Sequence, residues 1–343
     1  MPKTMRERWL AQVSEKALAP DLEICDPHHH LWYRPQTRYM LDELLEDVNS
    51  GHRVTSTVFV ECHSMYRQAA SDALAPVGET EFVQGIAAMS ASGGFGETKV
   101  ASGIVSFADL TLGRDVKSVL GAHIQASANR FRGIRHAACW HASEDIPNSH
   151  SNPPNHLLLL DDFRRGMEVL GELGLSFDAW LYHFQIPDFV DLAKAFPDVV
   201  MILDHFGGPI NIGPYAGKKN QVFSEWQENI SELRDCPNVN FKLGGINMKR
   251  NGFDWHTRDL PASSDELVDA TAPYYMHCID TFGADRCMFE SNFPVDKDSC
   301  SYVVLWNAFK KMTSSKSEEE KQSLFHDTAH RVYRLEEPVG VIG

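Results

Sequence analysis

The 343-residue sequence lacks long apolar runs and a surplus of positive charge. Its apolar runs, such as 157–160 and 199–203, are far shorter than the ~20 residues of a membrane-spanning helix. Its 32 Lys and Arg face 47 Asp and Glu, which leaves a formal net charge of -15. This balance argues against nucleic acid and against an anionic membrane surface as partners.

Cysteine pairs are also missing. The seven cysteines are odd in number, scattered and contain no CxxC, which indicates reduced thiols rather than a disulfide framework or a thiolate zinc site. The first 20 residues carry charges around Trp9, Leu10 and Val13 and lack the apolar segment of a secretory signal. We therefore predict a cytoplasmic protein with a short amphipathic N-terminal arm, which packs on the underside of the domain that follows or on a second subunit of a homodimer.

The sequence does contain short buried-strand signals separated by helix-like stretches, a pattern typical of βα units. No Pro/Gly/Ser-rich hinge divides the chain, which favours one closed barrel over two domains. We predict an arm over residues 1–22 and a single α/β domain, a (β/α)8 TIM barrel, over residues 23–343. A ninth strand signal at 82–89 does not fit the count of eight. The eight predicted strands cover 23–26, 57–61, 101–107, 131–135, 175–179, 199–203, 239–243 and 287–289.

Titratable residues follow these strands, where barrel enzymes keep their chemistry. His28 and His30 are two apart, so an extended strand presents both imidazoles to one metal ion or carbonyl, although both could be structural. Asp204 and His205 are adjacent, and by the same alternation we expect His205 to face the axis and Asp204 to be a structural partner. Asp296 follows the last strand as a metal ligand, a proton acceptor or a helix N-cap.

The residues that would bind a substrate are less sharply indicated. Cationic side chains collect on the predicted catalytic face and favour an anionic or carboxylated substrate, although each one could be a surface ion-pair partner. The aromatic residues would frame a flat ring or pack in the core. Three long connections, 137–156, 207–221 and 245–264, are predicted lids or binding loops. The predicted substrate-binding residues are Glu61, Arg135, Trp180, Tyr182, His183, Lys242 and Arg250.

Six motifs in order, DPHHHLW, FRGIRH, LSFDAWLYHFQIP, VMILDHFGGP, FESNFPVDK and HRVYRL, span about 26–335. With them the chain resembles the second amidohydrolase family in its lactone-hydrolase branch, which includes 2-pyrone-4,6-dicarboxylate lactonases and L-fucono- and L-rhamnono-lactonases. The resemblance implies a (β/α)8 barrel in which His28 and His30 are the first-strand pair. His205 matches the sixth-strand histidine, and Asp296 matches the water-activating acid. Glu290 stands where many relatives have a small residue, which leaves open whether it replaces or assists Asp296.

The resemblance allows two cofactor states. Decarboxylases and many amidohydrolases hold a divalent ion, whereas the pyrone-dicarboxylate lactonases work without metal. No lysine is placed to bridge two metals, so we expect at most one ion, zinc or manganese, with His28, His30, His183 and Asp296 as ligands. Without an ion, the same imidazoles would donate hydrogen bonds to a developing oxyanion.

The leading functional hypothesis is hydrolysis of a lactone or related cyclic ester of a small, carboxylated substrate. His28, His30 or a metal would hold the ring carbonyl, and Asp296 would take a proton from the attacking water. His205 or protonated Asp296 would then return the proton to the ring oxygen. The alternatives are a metal-dependent, non-oxidative decarboxylase of an aromatic acid and a non-catalytic barrel that binds a small acid.

Overall fold

The computed structural model describes residues 4–35, 37–68, 71–127 and 129–335. Eight parallel strands follow one another in chain order around a nearly closed barrel. The barrel closes through a parallel bridge between His29, at the end of the first strand, and Phe293, just beyond the end of the last strand. The barrel strands are β1 (Glu23–His29), β4 (Arg53–Val60), β5 (Lys99–Ser106), β6 (Phe131–Arg135), β7 (Ser176–Ala179), β8 (Met201–Leu203), β9 (Val239–Leu243) and β10 (Cys287–Phe289), and a small hairpin after β1 contains β2 (Trp32–Arg34) and β3 (Thr37–Tyr39).

Helices surround this barrel, which confirms the predicted single (β/α)8 architecture. All eight predicted strands are present, whereas the ninth signal, 82–89, lies inside a helix. The described part of the domain ends at residue 335, so the predicted boundary at 343 falls outside it. The helices are α1 (Met5–Leu10), α2 (Leu41–Val48), α3 (Val77–Ala91), α4 (Val116–Ala126), α5 (Asp161–Glu172), α6 (Ile186–Ala195), α7 (Lys219–Ser231), α8 (Ser264–Phe282), α9 (Tyr302–Met312), α10 (Glu318–Gln322) and α11 (Thr328–Tyr333).

The core has two layers. The larger apolar cluster lies between the outward face of the strands and the helices, where helix α5 buries Phe163, Met167 and Leu170. The smaller cluster fills the inside of the barrel with strand residues such as Val58 and Ile202. Because both faces of the strands are covered, they consist of apolar runs rather than of alternating apolar and polar residues. Within the described residues, no helix combines the length and the apolar character needed to cross a membrane.

The N-terminal arm packs on the side of the barrel. Trp9 donates its indole N–H to the carbonyl of Arg258, at 3.1 Å. The Glu15 carboxylate accepts hydrogen bonds from the backbone and the hydroxyl of Ser264, at 2.8 and 2.6 Å, and another from the Asn307 side chain, at 2.9 Å. These contacts anchor the arm to helices α8 and α9 of the same chain.

Candidate active site

The long connections that follow the strands pack on one another above the barrel mouth. Residues from all three predicted lid segments, including Ile146, Ile210 and Met248, form one apolar cluster with Trp180 and Tyr182. The backbone N–H of Asn211 is bonded to the carbonyl of Arg250, at 3.0 Å, which joins two of the segments directly. The mouth is therefore bounded by a packed cap rather than by isolated loops.

Below this cap, one carboxylate lies between two histidines from different strands. Glu290, directly after β10, has Oε1 at 2.6 Å from Nδ1 of His205 and Oε2 at 2.7 Å from Nδ1 of His28. The two imidazole centroids are 4.6 Å apart, and all three side chains are buried. The contact with His205 is a hydrogen bond, which fixes the orientation of that ring, whereas Oε2 makes no hydrogen bond to His28. Both Nε2 atoms are directed away from the carboxylate.

The turn after β8 brings Asp204 into the site together with His205. The expectation that only His205 would face the axis was wrong, because β8 ends at Leu203 and strand alternation does not apply beyond it. His205 and Phe206 instead adopt left-handed backbone conformations, with φ of 53° and 60°. His28, Asp204 and His205 consequently place ligand atoms within 4.8 Å of one another.

Two glycines after β9 make room for this arrangement. A Cβ atom on Gly245 would lie 2.2 Å from Nδ1 of His205, and one on Gly244 would lie 2.4 Å from Cγ of Glu290. Gly245 also has a φ of +66°, which disfavours any side chain there. Neither glycine was predicted from the sequence, although a Gly-Gly pair directly after a buried strand indicates a close approach of two backbones.

Two buried cations face the histidines. The Arg135 guanidinium binds Glu61 through Nε at 2.8 Å, and its Nη1 lies 3.4 Å from Nε2 of His28. Nζ of Lys242 lies 2.7 Å from Asp178, 3.1 Å from Asp204 and 3.3 Å from Nδ1 of His28. Arg135 and Lys242 were predicted to face the site, and the structure places both against His28. Asp178 was not predicted, although a carboxylate inside the buried strand β7 was a visible signal.

Burial shifts two carboxyl groups, those of Glu290 and Asp296, toward the protonated state. Burial raises the pKa of Glu290 to about 8, against the opposing attraction of Lys242, and burial also raises the pKa of Asp296 to about 8. Burial would raise the pKa of Glu61 too, but the adjacent Arg135 cation lowers it to about 2. Burial lowers the pKa of His205 to about 3, so this imidazole is neutral near pH 7.

The remaining predicted residues lie around this centre. Nδ1 of His30 lies 2.8 Å from the carbonyl of Val60, and the ring is 4.9 Å from that of His28. Trp180 lies edge-on to His205 at 4.7 Å. Arg250 donates to the Tyr182 hydroxyl at 2.8 Å, and its guanidinium lies 5.5 Å from the Trp180 ring centroid.

Asp296 and His183 lie outside the converging histidines. Asp296 is buried and accepts a hydrogen bond from the Asn292 side chain at 2.9 Å. It is the first residue of a 3-10 turn whose N-cap is Val295, so the N-cap interpretation does not apply. His183 is buried with its ring 5.2 Å from that of Tyr215. Of the four predicted metal ligands, only His28 belongs to the cluster that converges in the described residues.

The converging donors suit one divalent ion. Imidazole nitrogen and carboxylate oxygen are common ligands of zinc and manganese, and His28, Asp204 and His205 supply both kinds. The charges also fit, because among the described residues four buried carboxyl groups, Glu61, Asp178, Asp204 and Glu290, face two cations, Arg135 and Lys242. One divalent ion would balance the four ionised carboxylates, and protons on Glu290 and Asp204 are the alternative.

Comparisons with known proteins agree with this architecture. The uncharacterised protein y4mH of Sinorhizobium fredii is 33% identical over 337 residues, which cover 92% of this chain and 99% of that protein. An L-fucono-1,5-lactonase of Burkholderia multivorans is 29% identical over 182 residues, or 52% of this chain and 57% of the lactonase. A zinc-bound amidohydrolase structure from Burkholderia multivorans shares the fold with a TM-score of 0.68 at 21% identity, over 91% of this chain and 99% of that one.

The amidohydrolase family profile matches residues 25–335, which include every barrel strand except the first two residues of β1. The similarity to a lactonase and the order of the site histidines along the strands agree with the lactone-hydrolase resemblance seen in the sequence. The chain therefore belongs to the amidohydrolase family.

Proposed function

We propose that this amidohydrolase hydrolyses a lactone or related cyclic ester of a small, carboxylated substrate. The observation that carries the proposal is the pair of imidazoles, His28 and His205, held by Glu290 beside the cations Arg135 and Lys242. The fixed positive charge of these two cations in a buried site stabilises the negative oxygen that forms when water attacks an ester carbonyl. The similarity to an L-fucono-1,5-lactonase supports the same reaction class.

In this mechanism the ring carbonyl lies beside His28 and His30, next to the Arg135 guanidinium, and Asp296 takes a proton from the attacking water. The oxygen of that water bonds to the carbonyl carbon and forms a tetrahedral oxyanion. Collapse of the oxyanion breaks the bond to the ring oxygen, which receives the proton that Asp296 took from the water. Asp296 suits this task because its pKa of about 8 lies near working pH, where proton transfer in both directions is efficient.

Glu290 has a different role in the proposal. Each of its oxygens already lies within 2.7 Å of an imidazole Nδ1, so the carboxylate orients His28 and His205 rather than the water. If a divalent ion is bound, His28, Asp204 and His205 would hold it, and it would supply polarisation of the carbonyl and activation of water.

Arg250 is the proposed receptor of a substrate carboxylate. Its guanidinium lies between the Trp180 and Tyr182 rings, and within the described residues it makes no ion pair with an acidic side chain. A half-buried guanidinium of this kind is suited to bidentate binding of a carboxylate.

The test is proton release at slightly alkaline pH from the purified protein with a panel of neutral lactones, carboxylated lactones and aromatic acids. We expect release with a carboxylated lactone, a loss of at least 100-fold in Asp296→Asn, and a raised KM in Arg250→Met. Bicarbonate formation from an aromatic acid, with no lactone hydrolysed, would assign the protein to decarboxylation. Metal analysis and activity after chelation decide whether the ion is required, because the decarboxylase alternative needs one.

A further inference from the structure

The closing motif HRVYRL lies under the barrel, on the opposite side from the mouth. Helix α11 ends at Tyr333, which is fully buried within the cluster that fills the barrel interior. The Leu335 side chain packs on the same cluster and lies against Gly103 of β5. A Cβ atom added to Gly103 would be 3.0 Å from Cδ2 of Leu335. This motif therefore contributes side chains to the floor of the barrel, beneath the histidines.

The Tyr333 hydroxyl reaches a polar network that leads to the active site. It donates to Oδ2 of Asp178 at 2.6 Å, and the same oxygen receives the Lys242 ammonium at 2.7 Å. The ammonium in turn lies 3.1 Å from Asp204 and 3.3 Å from Nδ1 of His28. One unbroken series of contacts thus connects the last helix to a histidine of the site.

The direction of the first hydrogen bond follows from its surroundings. Burial and the adjacent Asp178 charge hold the pKa of Tyr333 well above its usual value, so the hydroxyl keeps its proton and donates it. Asp178 is buried between this donor and Lys242, and it has no solvent to replace either partner. Loss of the hydroxyl would leave the carboxylate fixed by Lys242 alone.

We propose that Tyr333 is a positioning residue of the active site, whose hydroxyl fixes Asp178 so that Asp178 holds Lys242 against His28 and Asp204. The proposal rests on the proposed lactone hydrolysis for its kinetic test. Its competitor is a purely structural role, in which the tyrosine anchors helix α11 to the barrel floor. The two differ in whether removing one hydroxyl changes the geometry around His28.

The test is Tyr333→Phe, which keeps the buried ring and removes only the hydroxyl. Tyr39→Phe is a matched control, because Tyr39 donates to Asp47 at 2.7 Å and Asp47 also receives the ammonium of Lys297. The two lysines even lie at similar distances from the tyrosine ring centroids, 5.3 Å for Lys242 and 5.4 Å for Lys297. In this control Tyr39 lies on the hairpin, Asp47 in helix α2 and Lys297 after β10, and none of the hydrogen bonds or ion pairs in the described structure joins them to His28.

We expect Tyr333→Phe to lower kcat at least tenfold with KM unchanged, and Tyr39→Phe to stay within twofold of the wild type. A double-mutant cycle adds Asp178→Asn. Because Tyr333 acts through Asp178, Tyr333→Phe should lower kcat no further in the Asp178→Asn variant. Tyr333 is only a structural anchor if Tyr333→Phe keeps full activity. The same conclusion follows if the effects of the two substitutions on kcat multiply.

A readout without substrate separates this inference from the proposed function. Long-range ¹H–¹⁵N spectra of the histidines, with the His28 signal assigned through His28→Gln, should show shifted His28 ring resonances in Tyr333→Phe and unshifted ones in Tyr39→Phe. If the wild type hydrolyses no lactone but the His28 signal shifts, the proposed function fails and the positioning role stands. Unshifted His28 signals in Tyr333→Phe would overturn the positioning role, whatever the reaction.

Discussion

Replacing Glu290 by Gln tests the role of the carboxylate that joins the two histidines. The amide keeps one acceptor oxygen, so one of the contacts, at 2.6 Å to His205 or 2.7 Å to His28, can persist. The other contact is replaced by an NH2 donor facing Nδ1. At a pH above about 8, where Glu290 is ionised, the change therefore removes about one charge-assisted hydrogen bond, worth roughly 1.5–3 kcal/mol. If that bond orients an imidazole in the transition state, kcat should fall about 10- to 150-fold.

The assay is initial-rate proton release with the lactone found in the panel, measured on Glu290→Gln and Asp296→Asn in parallel. Removal of the proton acceptor in Asp296→Asn should cost more, roughly 10²–10⁴ in kcat. Both side chains are buried, and each amide has nearly the same shape as the carboxyl group it replaces. Circular dichroism should therefore show an unchanged fold. If Glu290→Gln is the more damaging change and Asp296→Asn stays active, Glu290 is the proton acceptor and our assignment is refuted.

Three further changes probe the framework of the site. Gly245→Ala should abolish activity because its Cβ would displace His205, whereas Gly174→Ala, at a similar φ of +64° but with nothing within 4 Å, should remain active in the same assay. Arg135→Met should destabilise the protein by roughly 3–5 kcal/mol in urea unfolding, because it removes the cation that is paired with the buried Glu61 at 2.8 Å; an unchanged midpoint would contradict this. Burial and the Glu61 charge raise the pKa of Glu79 to about 8 in the folded protein. Between about pH 4.5 and 8 this carboxyl group is ionised in the unfolded chain and protonated in the folded protein, so the stability of the wild type falls as the pH rises. Glu79→Gln should lose less stability than the wild type between pH 6 and 9, and parallel pH curves would disprove the shift.

Much of the fold was predictable because it depends on local patterns. Strands β6, β9 and β10 have the predicted bounds, since each is a short apolar or β-branched run between turn signals. Residues 82–89 were ambiguous, because a short buried apolar segment is compatible with either a strand or a helix. In the structure they belong to helix α3, which packs on β5.

The sequence by itself determined the barrel and the placement of His28, His30, Arg135 and Lys242 at its mouth. The end of each strand is visible in the local sequence, and in a parallel barrel the carboxyl ends of all strands lie around one mouth. Only the tertiary structure decided how these groups are paired. The left-handed turn at His205, the space left by Gly245 and the approach of Glu290 join three separate strand ends. The contact of Tyr333 with Asp178 spans 155 residues. Such pairings depend on the position of one backbone relative to another, which no local pattern of residues encodes.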